Sequence, residues 1–370
     1  MAVDSSIQRI SRLTPLSTVL ALIESRVGAV KPERRALEPA GGRMLAEDVV
    51  ASERPPQAVA LRDGYAVAAD AIADAGPYSP IAFASMPRRV DVGEPLPRGT
   101  DAVLPLDAVM LRGGRAEATA MVAIGEGVLS AGDDATPRTP LRHTGERLRT
   151  LDVAAIAAAG IDEVTVREPR IGVARAGGVN TPPIDAAYAL VARAVTADGA
   201  VLNEAPSLEA ALADQRADAI IAVGGTGNGR NDTSVRILAE LGRVEAHGIA
   251  VAPGETAAFG FVGERPVLLV PGRLDSALTV WLLIGRYLVA RLAGGEIKDL
   301  PALIPLKRKV TSTIGVTELV PVHFAGGMAE PLGSGYLSVT ALARSDGWIV
   351  VAAESEGFAA GTQVAVRPWP

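Results

Sequence analysis

Apolar positions recur along this chain at two spacings, and the switches between them divide it. Leu16, Val19, Leu20, Ile23 and Val27 fall at i, i+3, i+4, i+7 and i+11 behind Thr14-Pro15. That spacing predicts an amphipathic helix with proline at its first position. Its apolar stripe must bury against its own domain or a partner subunit. From about Ala46 to Asp134 the pattern becomes short alternating runs, EDVVA, YAVAAD, IAFAS, AVLPL and EATAMVAI, separated by Pro and Gly turns. This rhythm predicts a small β unit. Leu151 to Gly160 reads as a helix closed by glycine.

From about Pro169 to Gly295 strands and helices alternate. IGVAR is a strand, and IDAAYALVARAVTADG is a helix with Tyr188, Val191 and Val195 inward. AVLNEA is a strand, LEAALADQRAD a helix, AIIAV a strand and VRILAELG a helix. FGFVGERPVLLV is a hairpin turning near Gly263-Glu264, and DSALTVWLLIGRYLVARLAGG is a long helix. Such alternation predicts an α/β layer with a mainly parallel sheet. Ligands of such sheets bind at the carboxyl ends of the strands. Gly177-Gly178, Gly224 to Asp232 and Pro271 to Ser276 fall there. Beyond Pro301, RKVTSTI, LVPVHF, WIVVAA and TQVAVRP predict a terminal β unit.

Composition narrows the function classes. The chain has 370 residues, enough for several domains. Its net charge of −6 gives no electrostatic support to a nucleic-acid partner. It has no cysteine, which excludes disulfides, thiolate zinc sites and thiol catalysis. No signal-peptide core opens the sequence, and Ala277 to Leu292, interrupted by Arg286 and Arg291, is too short and charged to span a bilayer. A cytoplasmic protein without membrane contact is expected. His143, His247 and His323 are far apart and show no ligand spacing, which favours structural or surface roles.

The candidate chemistry lies in AIIAVGGTGNGRND, Ala219 to Asp232. A buried strand breaks into Gly224, Gly225, Gly227 and Gly229, and a helix follows. A helix N-terminus carries partial positive charge and suits a phosphate. Glycines allow positive φ and close approach of backbone to ligand. Asp232 either caps that helix, the simpler reading, or helps hold a metal beside the anion. Asp63 and Asp134 sit in turn-like stretches, where turn chemistry explains them equally well. Carboxylates beside a phosphate suit Mg²⁺, which binds one or two carboxylates plus phosphate oxygens.

Taken together, these stretches resemble the molybdopterin molybdenumtransferase family, the MoeA and gephyrin E-domain group. PPQAVALRDGYAV is similar to P-P-x-x-x-S-x-x-D-G-Y-A-V, and VGEPLPRGTDAVLPLD to T-G-A-P-x-P-x-G-A-D-A-V-V-x-x-E. GDDATPRTPLRHTGERL keeps the spacing of G-E-D-I and a later G-x-x-L. AVGGTGNGRND is similar to S-G-G-V-S-V-G-x-x-D, APGETAAFG to K-P-G-K-P-x-x-F-G, and PGRLDSA to P-G-N-P-V-S-A.

The resemblance implies a multidomain α/β plus β fold. Residues 1–45 and 135–168 would form an elongated domain I, and 46–134 an inserted β domain II. Residues 169–298 would form a three-layer α/β molybdopterin-binding domain III, and 299–370 a C-terminal β-barrel domain IV. It also implies a homodimer with its site between subunits, and insertion of molybdate into adenylylated molybdopterin with Mg²⁺. Asp63, Asp134 and Asp232 match the family's catalytic and metal-binding carboxylates. Gly224, Gly225, Gly227 and Gly229 lie along its glycine cradle. Pro271, Gly272, Arg273 and Ser276 lie along its second ligand loop. Molybdoenzymes or other cofactor-biosynthesis proteins would be partners.

The residues depart from the pattern in places. The two lysines of K-P-G-K-P are Ala252 and Glu255, and the T/S-T-G-D-E stretch is Arg175 to Val179, without its acids. The cradle serines are Val223 and Gly227, and Val92 and Leu274 replace a threonine and a proline. Arg175 and Arg273 are candidate replacement cations. Turning an attraction into a repulsion between unit charges ~4 Å apart at an effective dielectric of 20 changes their energy by roughly 8 kcal/mol before relaxation. Two expectations follow: a molybdate- or tungstate-inserting enzyme with a rewired site, or a non-catalytic molybdopterin or cofactor carrier on the same scaffold.

Overall fold

The computed structural model describes residues 10–177 and 181–370. Gly178 and Val179, which fall on the family's acidic stretch, lie outside them. The centre is a six-stranded sheet in the order Val201–Ala205, Arg170–Arg175, Ala219–Val223, Arg265–Val270, Ala258–Val262, Arg243–His247. The first four strands are mutually parallel. Ala258–Val262 runs antiparallel to both of its neighbours, Arg243–His247 and Arg265–Val270, and joins the latter through the hairpin at Gly263, whose φ is +61°. Helix Pro182–Ala197 packs on one face with Tyr188, Val191 and Val195 buried. The amphipathic helix, Leu16–Arg26, joins that face through Val19 and Ile23. Its stripe is therefore satisfied within the chain. Leu208, Ala211, Leu212, Val235 and Leu238 of two shorter helices cover the other face.

Residues 59–129 form two three-stranded antiparallel sheets and one strand pair. Gly64–Val67 lies between Arg88–Val90 and Ala102–Pro105, and Arg115–Ala118 between Ile81–Ala82 and Val109–Arg112. Val59–Ala60 pairs with Val128–Leu129. A further sheet, Glu33–Ala36, Glu163–Arg167 and Met44–Leu45, packs with helix Thr150–Ala158 on either side of this unit in sequence. The C-terminal strands close on themselves. Thr317–Ala325 pairs with Gly347–Val351, which meets Gln363–Pro368, which pairs with Ala302–Pro305. Leu306 then bridges to Ala329 of Met328–Pro331, itself the partner of Thr317–Ala325.

Several elements differ from their sequence expectation. Pro15 is the N-cap, so the first helix starts at Leu16. EDVVA contributes only a Val49–Arg142 bridge, EATAMVAI is strand only to Ala118, and RKVTSTI only at Val310–Thr311. The helix over LEAALADQRAD stops at Ala213, where Asp214 turns to extended backbone. The long helix starts at Leu274 and contains a π turn at Trp281–Gly285. A Cβ on Gly285 would lie 2.5 Å from the Trp281 ring, so glycine lets that ring pack against the helix. Val251–Ala252 joins the C-terminal sheet, parallel to Thr317–Ala325, from within the α/β segment.

Candidate functional site

The glycine turn follows the wholly buried strand Ala219–Val223 at the carboxyl end of the parallel sheet. Gly224 has φ +104° and Gly225 φ +68°. A Cβ on Gly224 would lie 2.4 Å from the Ala176 carbonyl oxygen. Gly177, at φ +91°, presses on the Gly225 backbone, and Gly272 sits against Gly224 and Ile184. The ends of three adjacent parallel strands thus meet in a cluster of bare backbone. This is the close approach that glycines permit, and helix Ser234–Leu241 starts directly behind it.

Asp232 does not cap that helix. Its Oδ2 accepts from the Gly229 N–H at 2.7 Å, and Asp232 N–H donates back to the Gly229 carbonyl. The N-cap, Thr233, makes no side-chain cap bond. Ser234 ties the helix to the turn instead, with its N–H at 3.1 Å and Oγ at 2.6 Å from the Gly225 carbonyl. The Asp232 carboxylate also fills the space beside Gly227 and Gly229, where an added Cβ would come within 2.8 Å of Oδ2.

In the second loop, Pro271 and Ser276 are buried while Arg273 is exposed. The Ser276 hydroxyl and N–H face Asp275 Oδ1. Asp275, only 3% exposed, also accepts from Leu337 N–H at 3.1 Å and pairs with Arg273. The hydrogen bond to this carboxylate raises the Arg273 pKa. Arg273 further covers the Tyr336 ring at 4.9 Å. Arg175 likewise pairs with Asp185 at 3.0 Å and stacks on Tyr188 at 3.9 Å. Both candidate replacement cations are thus neutralised by a local acid. Arg230, exposed within the turn, forms no ion pair among the described residues.

The other two aspartates occupy separate places. Asp63 is exposed and accepts from Val92 N–H at 2.9 Å. Asp134 is exposed and faces Arg54 at 3.7 Å. Among the described residues no hydrogen bond or ion pair joins either to the glycine turn, and no three His, Cys, Asp or Glu side chains gather to hold a metal ion. A single chain therefore does not assemble the expected Mg²⁺ ligand set.

Ala252 and Glu255 border a cavity of about 530 Å³ between the α/β segment and the C-terminal strands. Its wall also holds Thr311, Ser334 and Glu318 and, among the described residues, no Lys, Arg or His. Glu318 is 4% exposed and accepts from Ser334 Oγ at 2.6 Å and Gly335 N–H at 2.7 Å. The bonds of Asp275 with Leu337, Glu318 with Ser334, Thr226 with Thr256 and His247 with the Thr226 carbonyl are not disclosed by the sequence pattern, because each joins residues distant in the chain.

Three family models match in order: the MoeA N-terminal region (domain I and II) over residues 11–160, the probable molybdopterin binding domain over 185–291, and the MoeA C-terminal region (domain IV) over 304–369. Molybdopterin molybdenumtransferase 1 of Mycobacterium tuberculosis is 30% identical over 75% of this chain and 77% of its own length. Molybdopterin molybdenumtransferase of Haemophilus influenzae is 25% identical over 90% of this chain and 93% of its own. The crystal structure of a molybdopterin biosynthesis MoeA protein from Pyrococcus horikosii superposes with a TM-score of 0.77 at 26% identity, covering 96% of this chain and 99% of that one. No helix among the described residues is long and apolar enough to cross a membrane. With its N-terminal, molybdopterin-binding and C-terminal regions all matched, the chain belongs to the molybdopterin molybdenumtransferase (MoeA) family.

Proposed function

We propose that this chain acts in molybdenum cofactor biosynthesis, holding the phosphate-bearing tail of adenylylated molybdopterin at the glycine turn and serving molybdate insertion there. The observation that carries this reading is the convergence of Gly177, Gly224, Gly225 and Gly272 at the ends of three parallel strands, in front of a helix N-terminus. Backbone that close suits an oxyanion, and fixed dipoles stabilise it at no cost in reorganisation. The working form is a homodimer, in which Asp63 and Asp134 of one copy complete the site beside Asp232 of the other. Mg²⁺ would be held there by carboxylates and phosphate oxygens. The test is release of AMP and formation of cofactor when purified protein meets adenylylated molybdopterin, molybdate and Mg²⁺. Both are expected, and both should fall in Asp63→Ala. Protein that releases no AMP and retains no pterin would defeat the proposal.

A second reading is favoured by one observation. Among the described residues, the wall of the cavity beside the Ala252–Glu255 loop carries two carboxylates and no Lys, Arg or His, and Arg273, the cation on which the Glu255 charge acts, is already paired with Asp275. Like charges repel an oxyanion there. Under this reading the chain binds molybdopterin or its cofactor and passes it on without inserting metal. Pterin binding without AMP release is the outcome that selects it.

A further inference from the structure

We propose that His247, with Thr226 and Thr256, is a latch that sets the direction of the glycine turn, which makes His247 a positioning residue of the phosphate site. The inference rests on reading that turn as the phosphate-binding element. Thr226 lies between Gly225 and Gly227 and is 2% exposed. Its Oγ1 is 3.0 Å from Thr256 Oγ1, and its carbonyl is 3.0 Å from His247 Nε2. A carbonyl oxygen only accepts, so Nε2 carries the proton. His247 ends the edge strand Arg243–His247 and is held by pairing with Ala258.

Peptide planarity turns these bonds into a constraint on the turn. In a trans peptide the C=O and the following N–H point in opposite directions. Ser234 holds the Gly225 carbonyl, which fixes the Thr226 N–H. His247 holds the Thr226 carbonyl, which fixes the Gly227 N–H on the side away from the imidazole. Two successive peptide planes are thus pinned from behind. The hydroxyl pair links the same turn to the loop carrying Glu255. The family pattern has Val where Thr226 stands and Pro where Thr256 stands, and neither could make this bond. Two of this chain's departures therefore meet in one partly buried contact, next to a third, Glu255.

The experiment compares full-length wild type, His247→Leu, His247→Gln, Thr226→Val, Thr256→Val and the double threonine variant. Inorganic pyrophosphate is the probe, titrated by calorimetry, and hydrogen exchange follows the peptides spanning residues 224–232 without ligand. His247→Leu should weaken pyrophosphate binding about tenfold and speed exchange in the turn by a similar factor. His247→Gln restores an amide donor and should stay within about threefold of wild type on both readouts. The double threonine variant should lose no more than either single one, since both remove the same bond. Unchanged exchange in His247→Leu, or Gln as damaging as Leu, overturns the latch. An exchange effect in protein that binds no pyrophosphate overturns the phosphate reading, and with it the role of His247 in that site.

Discussion

At Gly224 two constraints coincide: a φ of +104° and a Cβ position 2.4 Å from the Ala176 carbonyl. A left-handed backbone costs an L-residue roughly 1–2 kcal/mol before any clash is counted. Gly224→Ala should therefore lower unfolding free energy by about 2 kcal/mol or more and weaken ligand binding. Gly263 is the control. Its φ of +61° meets open space, so Gly263→Ala should cost only about 1 kcal/mol. Urea unfolding compares the two. The acidic cavity supports a charge test at the same scale. Ala252→Lys combined with Glu255→Lys should raise molybdate affinity tenfold or more, about 1.4 kcal/mol, in equilibrium dialysis. No change would show that Glu255 does not control anion entry. These site residues were unevenly legible in the sequence. Gly224 and Gly225 stand out because strand, glycine pair and helix follow one another within a few positions. Asp232 was legible as a short polar residue near a helix start, but not its choice of Gly229 over the helix, since both partners are local and only geometry decides between them.

At the scale of elements, helix Thr150–Ala158 shows how its N-terminus is held. The Asp152 carboxylate accepts from Arg149 N–H at 2.8 Å and from the Arg149 guanidinium at 2.7 and 3.0 Å. The guanidinium bonds hold the Asp152 pKa below its ordinary value, the backbone bond adds to this, and burial opposes both. A depressed folded-state pKa stabilises the protein above the unfolded value of about 3.9 and loses that stabilisation as pH falls through the folded value. Asp152→Ala should cost about 1 kcal/mol at neutral pH. It should also flatten the acid limb of the stability curve below about pH 4. A variant as acid-sensitive as wild type would remove Asp152 from that limb. Asp214, at the end of the separate helix Leu208–Ala213 and drawn down to about 2 chiefly by its bonds to Arg216, loses its contribution in the same window, so the limb should shrink without vanishing. Most strands and helices of the α/β segment were legible because they fill an apolar period and end in Gly, Pro or Asp, but the edge strand Arg243–His247, half polar and partly exposed, was not. The short strands were not. Val310–Thr311 and Met44–Leu45 are two residues long, too short for a period to register, and exist only through distant partners. The π turn at Trp281–Gly285 was hidden for a related reason, since a helical apolar pattern does not distinguish one extra residue in a turn.

At the scale of the whole molecule, Asp63 and the glycine turn lie by separate sheets, and among the described residues no hydrogen bond or ion pair joins them. Residues 59–129 bury their own clusters, and Asp63 remains exposed at the start of Gly64–Val67. If the three aspartates act together, a second copy must bring them together, and a two-fold dimer does so twice. Sedimentation should therefore show a dimer at working concentration. Complementation makes the stronger test. Asp63→Ala and Asp232→Ala should each abolish AMP release when every chain carries the same change. Unfolded together and refolded as a mixture, half of the dimers would be mixed, and each mixed dimer would hold one intact site of its two. Recovery should approach about a quarter of wild-type turnover. If the protein binds without turnover, the same fraction applies to high-affinity pterin binding wherever both singles lose it. Equal amounts of the two variants that never complement, while sedimenting as a dimer, would place the three carboxylates in one chain's site or in none. The first outcome would require the unit of residues 59–129 to swing onto its own glycine turn, a rearrangement that fluorescence transfer between labels on the two units would detect.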